Sequence, residues 1–345
     1  MNIFPFLIVF ALTIAVIFLL RPFAIKFKLL DVPNDRKKHN GSVPLIGGIA
    51  MFFCVSLGLL ISNTIALNDN IIFLILSSFI LVILGVIDDY KNISHKIRLF
   101  FQIISALIII EFGGVLIVDL GGLLTVENIH LGRFSVVFTL FAVVGVINAL
   151  NFSDGVDGVS ASLSIIALSS VAYFALIIND KFALNFLLCF IVSIFAFLVF
   201  NIGLGQNSKF KVFMGDAGST FLGLGIAWSL ITFSQGNMQI FKPVTALWIY
   251  AIPIIDASSV MITRISNGKS PFSPDRKHLH HFFILSGCSD RKALGLIVIM
   301  SILTSSIGIT MEINNYPDSV MFLFFLLIAF AYFFVLSRGW RLLNV

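Results

Sequence analysis

Four polar side chains recur at every third position in one short stretch, Asn148, Asn151, Asp154 and Asp157, with glycines at 155 and 158. Two carboxylates and two amides, with no basic residue among them, could together hold one polar ligand. An α-helix turns by about 100° per residue, so four such positions drift by roughly 180° around it. Convergence therefore requires a helix to end here and unwind at Gly155 and Gly158, which tolerate conformations closed to other residues. Taken alone, the stretch reads better as a polar loop between helices.

Three further segments carry acidic residues or histidines. Asp88 and Asp89 are adjacent carboxylates that repel one another, a repulsion relieved by a neighbouring cation, a metal or a shared proton. An isolated pair of this kind is otherwise a solvated helix end. Asp216 follows Gly215 at the predicted first turn of a helix, where free N–H groups and the positive dipole end also attract phosphate. No Gly-Lys-Ser/Thr follows, so this is not a P-loop. Gly215, Ser219, Gly223 and Ala227 stand at four-residue spacing, which predicts close helix packing. The last segment holds Arg276, Lys277, His278, His280 and His281. A zinc site would want a Cys partner or a His-Glu-x-x-His helix, and neither is present. Basic residues beside imidazoles favour an anion, and neutral His with cationic Arg suits a diphosphate.

The elements that must position these groups are membrane spans. The chain has 345 residues, 59% hydrophobic and 11% charged, with 38 Phe. Soluble domains are about a quarter charged, so an all-α integral membrane protein is expected. Eleven apolar runs are long enough to span: 3–20, 44–62, 71–87, 100–118, 135–150, 159–178, 184–201, 219–234, 244–262, 293–311 and 319–336. The first is no signal peptide, because its positive charges follow it. With the N-terminus outside and the C-terminus in the cytoplasm, 19 of the 22 Lys and Arg fall on cytoplasmic segments, leaving Arg133, Lys181 and Lys242 outside. The opposite orientation would invert the positive-inside rule. An Asp at the bilayer centre costs about 2.5–3.5 kcal/mol, which places Asp88 and Asp89 at the cytoplasmic interface. The net charge of +5 is this bias and not a nucleic-acid footprint. Cys54, Cys189 and Cys288 suggest no disulfide framework. The basic loop between residues 31 and 43 reads as readily as a lipid-headgroup contact, and Gly47-Gly48 could let backbone approach a ligand. Glu111 is expected to make an interior polar contact in the fourth run, while Asp256 sits in the ninth, which ends near Arg264. Without internal repeats, residues 1–345 read as a single polytopic domain.

Together, Asp88-Asp89, the 148–158 stretch, the 213–218 stretch and the 274–281 loop resemble the polyprenyl-phosphate N-acetylhexosamine-1-phosphate transferases. They occur in that family's order on cytoplasmic loops of an eleven-span chain, so the resemblance covers nearly the whole length. It is closest to the bacterial undecaprenyl-phosphate GlcNAc-1-phosphate transferases of the inner membrane that initiate O-antigen or enterobacterial common antigen. The phospho-MurNAc-pentapeptide enzymes carry three consecutive His followed by Phe-Glu. Here Leu279 breaks the run and Phe282-Phe283 follows it, which disfavours that assignment.

The resemblance implies undecaprenyl phosphate and a UDP-N-acetylhexosamine as substrates, with Mg²⁺, or Mn²⁺ in its place, as cofactor. It implies Asp216 as leading metal ligand with Asn151 as a second. Asp88 and Asp89 would deprotonate or orient the lipid phosphate, and Asp154 and Asp157 would lie near nucleotide and sugar. Arg276, His278, His280 and His281 would hold the diphosphate with help from Arg264, and Asn148 would line the substrate site. The implied partners are the lipid bilayer and the two substrates, with no nucleic acid; a homo-oligomer is compatible with them. Two other classes stay open. A secondary transporter would need its acidic groups near the midplane and often shows inverted repeats. A structural or polymer-export partner would have no use for Asp, Asn and His clusters on one face.

Overall fold

Glycine and proline punctuate the apolar runs, and the helices follow that punctuation. The computed structural model describes residues 3–33, 41–61, 69–124, 127–203, 210–270 and 277–343. In chain order the elements are α1 (Phe4–Lys26), β1 (Leu30–Asp31), β2 (Val43–Pro44), α2 (Gly47–Ile61), α3 (Asp69–Lys91), α4 (His95–Glu111), α5 (Ser135–Ser153) and α6 (Val159–Ile177). They continue with α7 (Lys181–Leu198), α8 (Gly215–Thr232), α9 (Pro243–Ile249), α10 (Ala251–Ser266), α11 (Leu279–Leu285), α12 (Asp290–Ile313) and α13 (Asp318–Leu342). Apart from the short antiparallel pairing of β1 with β2, the described architecture is helical.

Each of the eleven apolar runs falls largely on helix, but not every such helix has the length and hydropathy of a straight span. Among the described residues seven helices are long and apolar enough to cross a membrane, or eight if α9 and α10 count as one bent span. The shortfall lies in α2, with 15 residues, α4, with 17, and α8, which opens on glycines and polar residues. A straight crossing takes about 20 residues. Along α1 and α13, apolar side chains such as Leu7, Leu19, Phe23, Leu323, Phe330 and Val335 stand exposed. So much exposed apolar surface belongs in lipid, and the protein is a multi-pass membrane protein.

The described chain forms two compact units. The first comprises residues 1–115 and 175–226. Within it α1 packs on α2 and α7, α2 on α3 and α7, and α3 on α4. The buried hydroxyls of Thr13 and Ser193 pair at 3.0 Å and join α1 to α7. A Cβ on Gly48 would lie 2.2 Å from the Gly218 nitrogen, so Gly48 serves a close helix crossing. Close packing of α8 is as expected: tight approaches fall on Gly215 of the ladder and, off it, on Ala217, Gly218 and Gly225.

The second unit comprises residues 116–174 and 227–345. Here α10 packs on α5, α12 and α13, α9 on α12 and α13, and α11 on α12 and α13. The ninth apolar run, expected to be one span, is two helices bent by 81° at Tyr250. Pro253 is the cause: it has no N–H, and its ring clashes with the carbonyl four residues back. That carbonyl, of Ile249, instead accepts a hydrogen bond from Ser305 Oγ of α12 at 3.1 Å. Glu111 makes no interior contact of the expected kind. In the first unit, α4 ends at Glu111, which is exposed, because Gly114 turns the chain through a left-handed conformation (φ +65°).

Candidate active site

The carboxylates of the first unit converge because α3 makes a close backbone approach to the start of α8. Beyond the Gly48–Gly218 crossing, a Cβ on Gly85 would sit 2.3 Å from Ala217 backbone. The segment before α8 is pinned by hydrogen bonds from Phe213 N–H to Pro44 O at 2.9 Å and from Gly47 N–H to Phe213 O at 3.0 Å. Asp89 then accepts from the Asp216 N–H at 2.9 Å, so it caps α8 from another helix. Gly215 has φ +72°, and any Cβ there would meet Asp89 Oδ2 at 2.4 Å. This corrects one sequence expectation: the Asp216 N–H is held by Asp89 and is not presented to phosphate.

Asp88 is placed differently. It is 4% exposed, accepts from the Ile93 N–H at 2.9 Å through Oδ1, and meets Arg98 at 2.9 Å through Oδ2. The same guanidinium nitrogen lies 3.7 Å from Asp216 Oδ2. Arg98 therefore bridges two of the three carboxylates, Asp88 and Asp216. Sequence reasoning counted it only as a charge; the signal was a cation ten residues after the acidic pair, in the first turn of α4. Asp89 Oδ2 is buried with no hydrogen-bond partner among the described residues.

The second unit carries the amide and histidine groups. The predicted unwinding is present: α5 ends at Ser153, Gly158 adopts φ +79°, and α6 begins at Val159. The Asn148 amide donates back to Val144 O at 2.8 Å, along its own helix. Ser160 Oγ donates to Asp154 Oδ1, so the exposed Asp154 is fixed by the helix that follows. Asn151 and Asp157 are half-buried at the same turn.

Against this turn lie the histidines. His278 packs on Phe152 with ring centroids 5.2 Å apart, and Arg264, only 3% exposed, sits over the same Phe152 ring at 5.6 Å. A Cβ on Gly155 would fall 2.0 Å from His280 Nε2, so glycine is required there for contact and not for backbone conformation. The rings of His278 and His280 are parallel within 3° at 6.1 Å, and His281 follows at 4.1 Å from His280. Burial pushes the His280 imidazole down to about 3, with the neighbouring His281 and His278 adding to the effect. His280 is therefore a neutral ring at pH 7, and its Nε2 has no hydrogen-bond partner among the described residues. It borders a small cleft that Ser153 and Asp256 also line. Arg276 lies outside the described residues.

Asp256, whose role the sequence left open, holds this loop. Its Oδ2 meets His278 Nδ1 at 2.8 Å, while Oδ1 accepts from the Leu279 N–H at 3.0 Å and the Tyr332 hydroxyl at 2.8 Å. An ionisable residue inside an apolar helix is a signal for function, although nothing in the sequence around Tyr332 pointed to it. Asp216 belongs to the first unit and Asn151 to the second. Among the described residues no three His, Cys, Asp or Glu side chains form a metal-binding group. Mg²⁺ often takes only one or two protein carboxylates and completes its shell with water and substrate phosphates. The oxygen-only set of the first unit, with one buried carboxylate oxygen unpartnered, fits such an ion.

The described chain is thus a multi-pass helical membrane protein with a carboxylate cluster in its first unit and a histidine cluster in its second. Comparison with known proteins narrows the class. The profile of glycosyl transferase family 4 matches residues 71–234. The undecaprenyl-phosphate alpha-N-acetylglucosaminyl 1-phosphate transferase of Yersinia pestis is 38% identical over 336 residues, covering 96% of this chain and 91% of its own. The Escherichia coli (strain K12) protein of the same name is 35% identical, covering 96% and 90%. That of Pasteurella multocida (strain Pm70) is 36% identical, covering 94% and 90%. The chain belongs to glycosyl transferase family 4 and is a transferase.

Proposed function

We propose that this protein transfers N-acetylglucosamine 1-phosphate from UDP-GlcNAc to undecaprenyl phosphate, releasing UMP and forming undecaprenyl-diphosphate-GlcNAc. The observation that carries the reading is identity along nearly the whole chain to transferases of that name, 38% over 96% of its length for the Yersinia pestis relative. The two clusters support it, since each is equipped for phosphate rather than for an oxocarbenium-like sugar. An oxygen of the lipid phosphate attacks the β-phosphorus of the nucleotide sugar. The bond from that phosphorus to the bridging oxygen breaks, and UMP leaves. Both substrates are anions, so charge neutralisation and in-line placement supply the rate.

Asp88, already paired with a cation, orients the lipid phosphate or takes its proton. Asp89 shapes the site by fixing the start of α8. His278, His280, His281 and Arg276 hold the diphosphate, with Arg264 behind them. Asn148, Asp154 and Asp157 face nucleotide and sugar. Asp216, with Asn151, would hold Mg²⁺, or Mn²⁺ in its place, and the ion would neutralise charge on the phosphates. The setting is the bacterial inner membrane, crossed eleven times, with the N-terminus periplasmic and the acidic motifs cytoplasmic. The distribution of 19 of 22 Lys and Arg supports that orientation. The product would start a surface polysaccharide such as O-antigen.

The decisive assay uses UDP-GlcNAc labelled on the β-phosphate, with purified protein, undecaprenyl phosphate and Mg²⁺. Label should pass to the lipid, the anomeric configuration should be retained, and excess UMP should reverse the reaction. Label released as UDP overturns the proposal. A panel of UDP-sugars in the same assay, including the GalNAc, QuiNAc and FucNAc forms, reads the choice of sugar.

A further inference from the structure

Asp256 lies in the middle of an apolar helix, yet it is only 4% exposed and makes three hydrogen bonds. A charge at such a depth is costly unless its position is fully satisfied. Two of the three bonds are unambiguous in direction. The Leu279 N–H can only donate, and the Tyr332 hydroxyl donates to a carboxylate oxygen at 2.8 Å. An ionised carboxylate can only accept, so the ring nitrogen that meets its Oδ2 at 2.8 Å, His278 Nδ1, carries the proton. In a neutral imidazole one nitrogen donates and the other accepts, so the proton on Nδ1 leaves Nε2 as the acceptor. The ring plane is held as well. Phe152 packs on His278 at 5.2 Å and 32°, and His280 runs parallel to it at 6.1 Å.

We propose that Asp256, backed by Tyr332, is a positioning residue for His278: it fixes the Nδ1–H tautomer and ring orientation, so that Nε2 is presented to the substrate diphosphate. The carboxylate also stabilises the ring when Nε2 takes a proton or shares one with a phosphate oxygen. Through the Leu279 N–H it seats the first residue of α11, so one side chain orients the imidazole and anchors the helix that carries it. Tyr332 comes from α13 and closes the second lone pair of Oδ1, which leaves Oδ2 for the histidine alone. This proposal rests on the assignment of His278 to the diphosphate in the proposed function.

Asp256→Asn keeps the shape and changes the proton. Its oxygen must still accept from Leu279 and Tyr332, so its amide N–H₂ turns to His278 Nδ1 and imposes the opposite tautomer. With full-length protein, UDP-GlcNAc, undecaprenyl phosphate and Mg²⁺, the rate should fall roughly 10- to 100-fold, the range for outer partners that orient functional imidazoles. Two readouts separate positioning from mere structural support. In ¹⁵N-histidine spectra the His278 signal should change from the Nδ1–H to the Nε2–H pattern. In a His278→Ala background, adding Asp256→Asn should cost no further activity. Tyr332→Phe, which removes one hydroxyl, should show a smaller loss with the same non-additivity, and it serves if Asp256→Asn does not fold by gel filtration. Losses that multiply in the double variant, or an unchanged tautomer, overturn this proposal alone. A fully active His278→Ala overturns the assignment of His278 itself, and this proposal with it.

Discussion

Gly155→Ala is the smallest change that should disable the second unit's cluster. The added methyl would lie 2.0 Å from His280 Nε2, 2.6 Å from Cε1 and 2.7 Å from Cδ2. Ordinary contact begins near 3.5 Å, so the ring must retreat by about 1.5 Å at Nε2. It has little room, being 4% exposed and flanked by the rings of His278 and His281. Overpacking of this kind costs about 1–3 kcal/mol. Replacing glycine also stiffens the unfolded chain, which returns about 0.4–1 kcal/mol, so the net loss is roughly 1–2 kcal/mol. Activity should suffer more than stability, because a 1 Å displacement of a positioned group can cost about 10²-fold. Thermal unfolding in detergent and UMP release measure the two effects. Gly145→Ala is the matched control, since its methyl meets nothing within 4 Å. In mid-helix it should leave the rate unchanged and raise stability by about 0.5–1 kcal/mol. A Gly155→Ala enzyme with native rate and midpoint would refute the placement of His280.

The remaining predictions separate residues that the sequence grouped together. Asp89→Ala should lower the unfolding midpoint through loss of the α8 cap, about 0.5–2 kcal/mol, whereas Asp88→Asn should stay folded and lose turnover; the reverse pattern would exchange their roles. Arg98→Gln leaves Asp88 without its cation. Breaking a buried pair costs about 3–5 kcal/mol, and the effect should be smaller here because Arg98 is 37% exposed. Arg98→Lys should restore part of both stability and rate, and equal defects in the two variants would argue against a charge effect. His280 supplies a pH test. Between about pH 6.5 and about 3 the unfolded chain binds a proton that the buried ring refuses, so folded stability falls with falling pH by up to about 1.4 kcal/mol per unit. His280→Asn should flatten the midpoint-against-pH curve over that window, and parallel curves would contradict the burial.

The helical class, the membrane setting and the clusters were legible because each rests on composition or local spacing. The break of α5 before Gly158 was legible too, since four polar residues at every third position cannot share a helix face. Distances between segments were not legible. Nothing in the sequence distinguishes Asp88 from Asp89, yet one pairs with Arg98 and the other caps α8. That division depends on Gly85 and Gly215, which set how closely α3 meets α8. Asp256 stood out as a charge in an apolar run, but its partners lie 22 and 76 residues away, beyond any local pattern. The bend at Tyr250 was readable in principle from Pro253, which the apolar count treats as one more residue of a span.

That bend also constrains the order in which the protein can be made. A carbonyl left without a donor inside a bilayer costs several kcal/mol, and among the described residues the Ile249 carbonyl is relieved by Ser305. Ser305 leaves the ribosome more than fifty residues after Ile249, and Tyr332, which secures Asp256, later still. The segment from α9 to α10 therefore leaves the ribosome before either partner exists. During synthesis it must wait at the interface or in the insertion machinery, and it completes its descent only when α12 and α13 arrive. Chains stalled before residue 290 should leave the Tyr250 region open to a water-soluble thiol reagent that no longer reaches it in the finished protein.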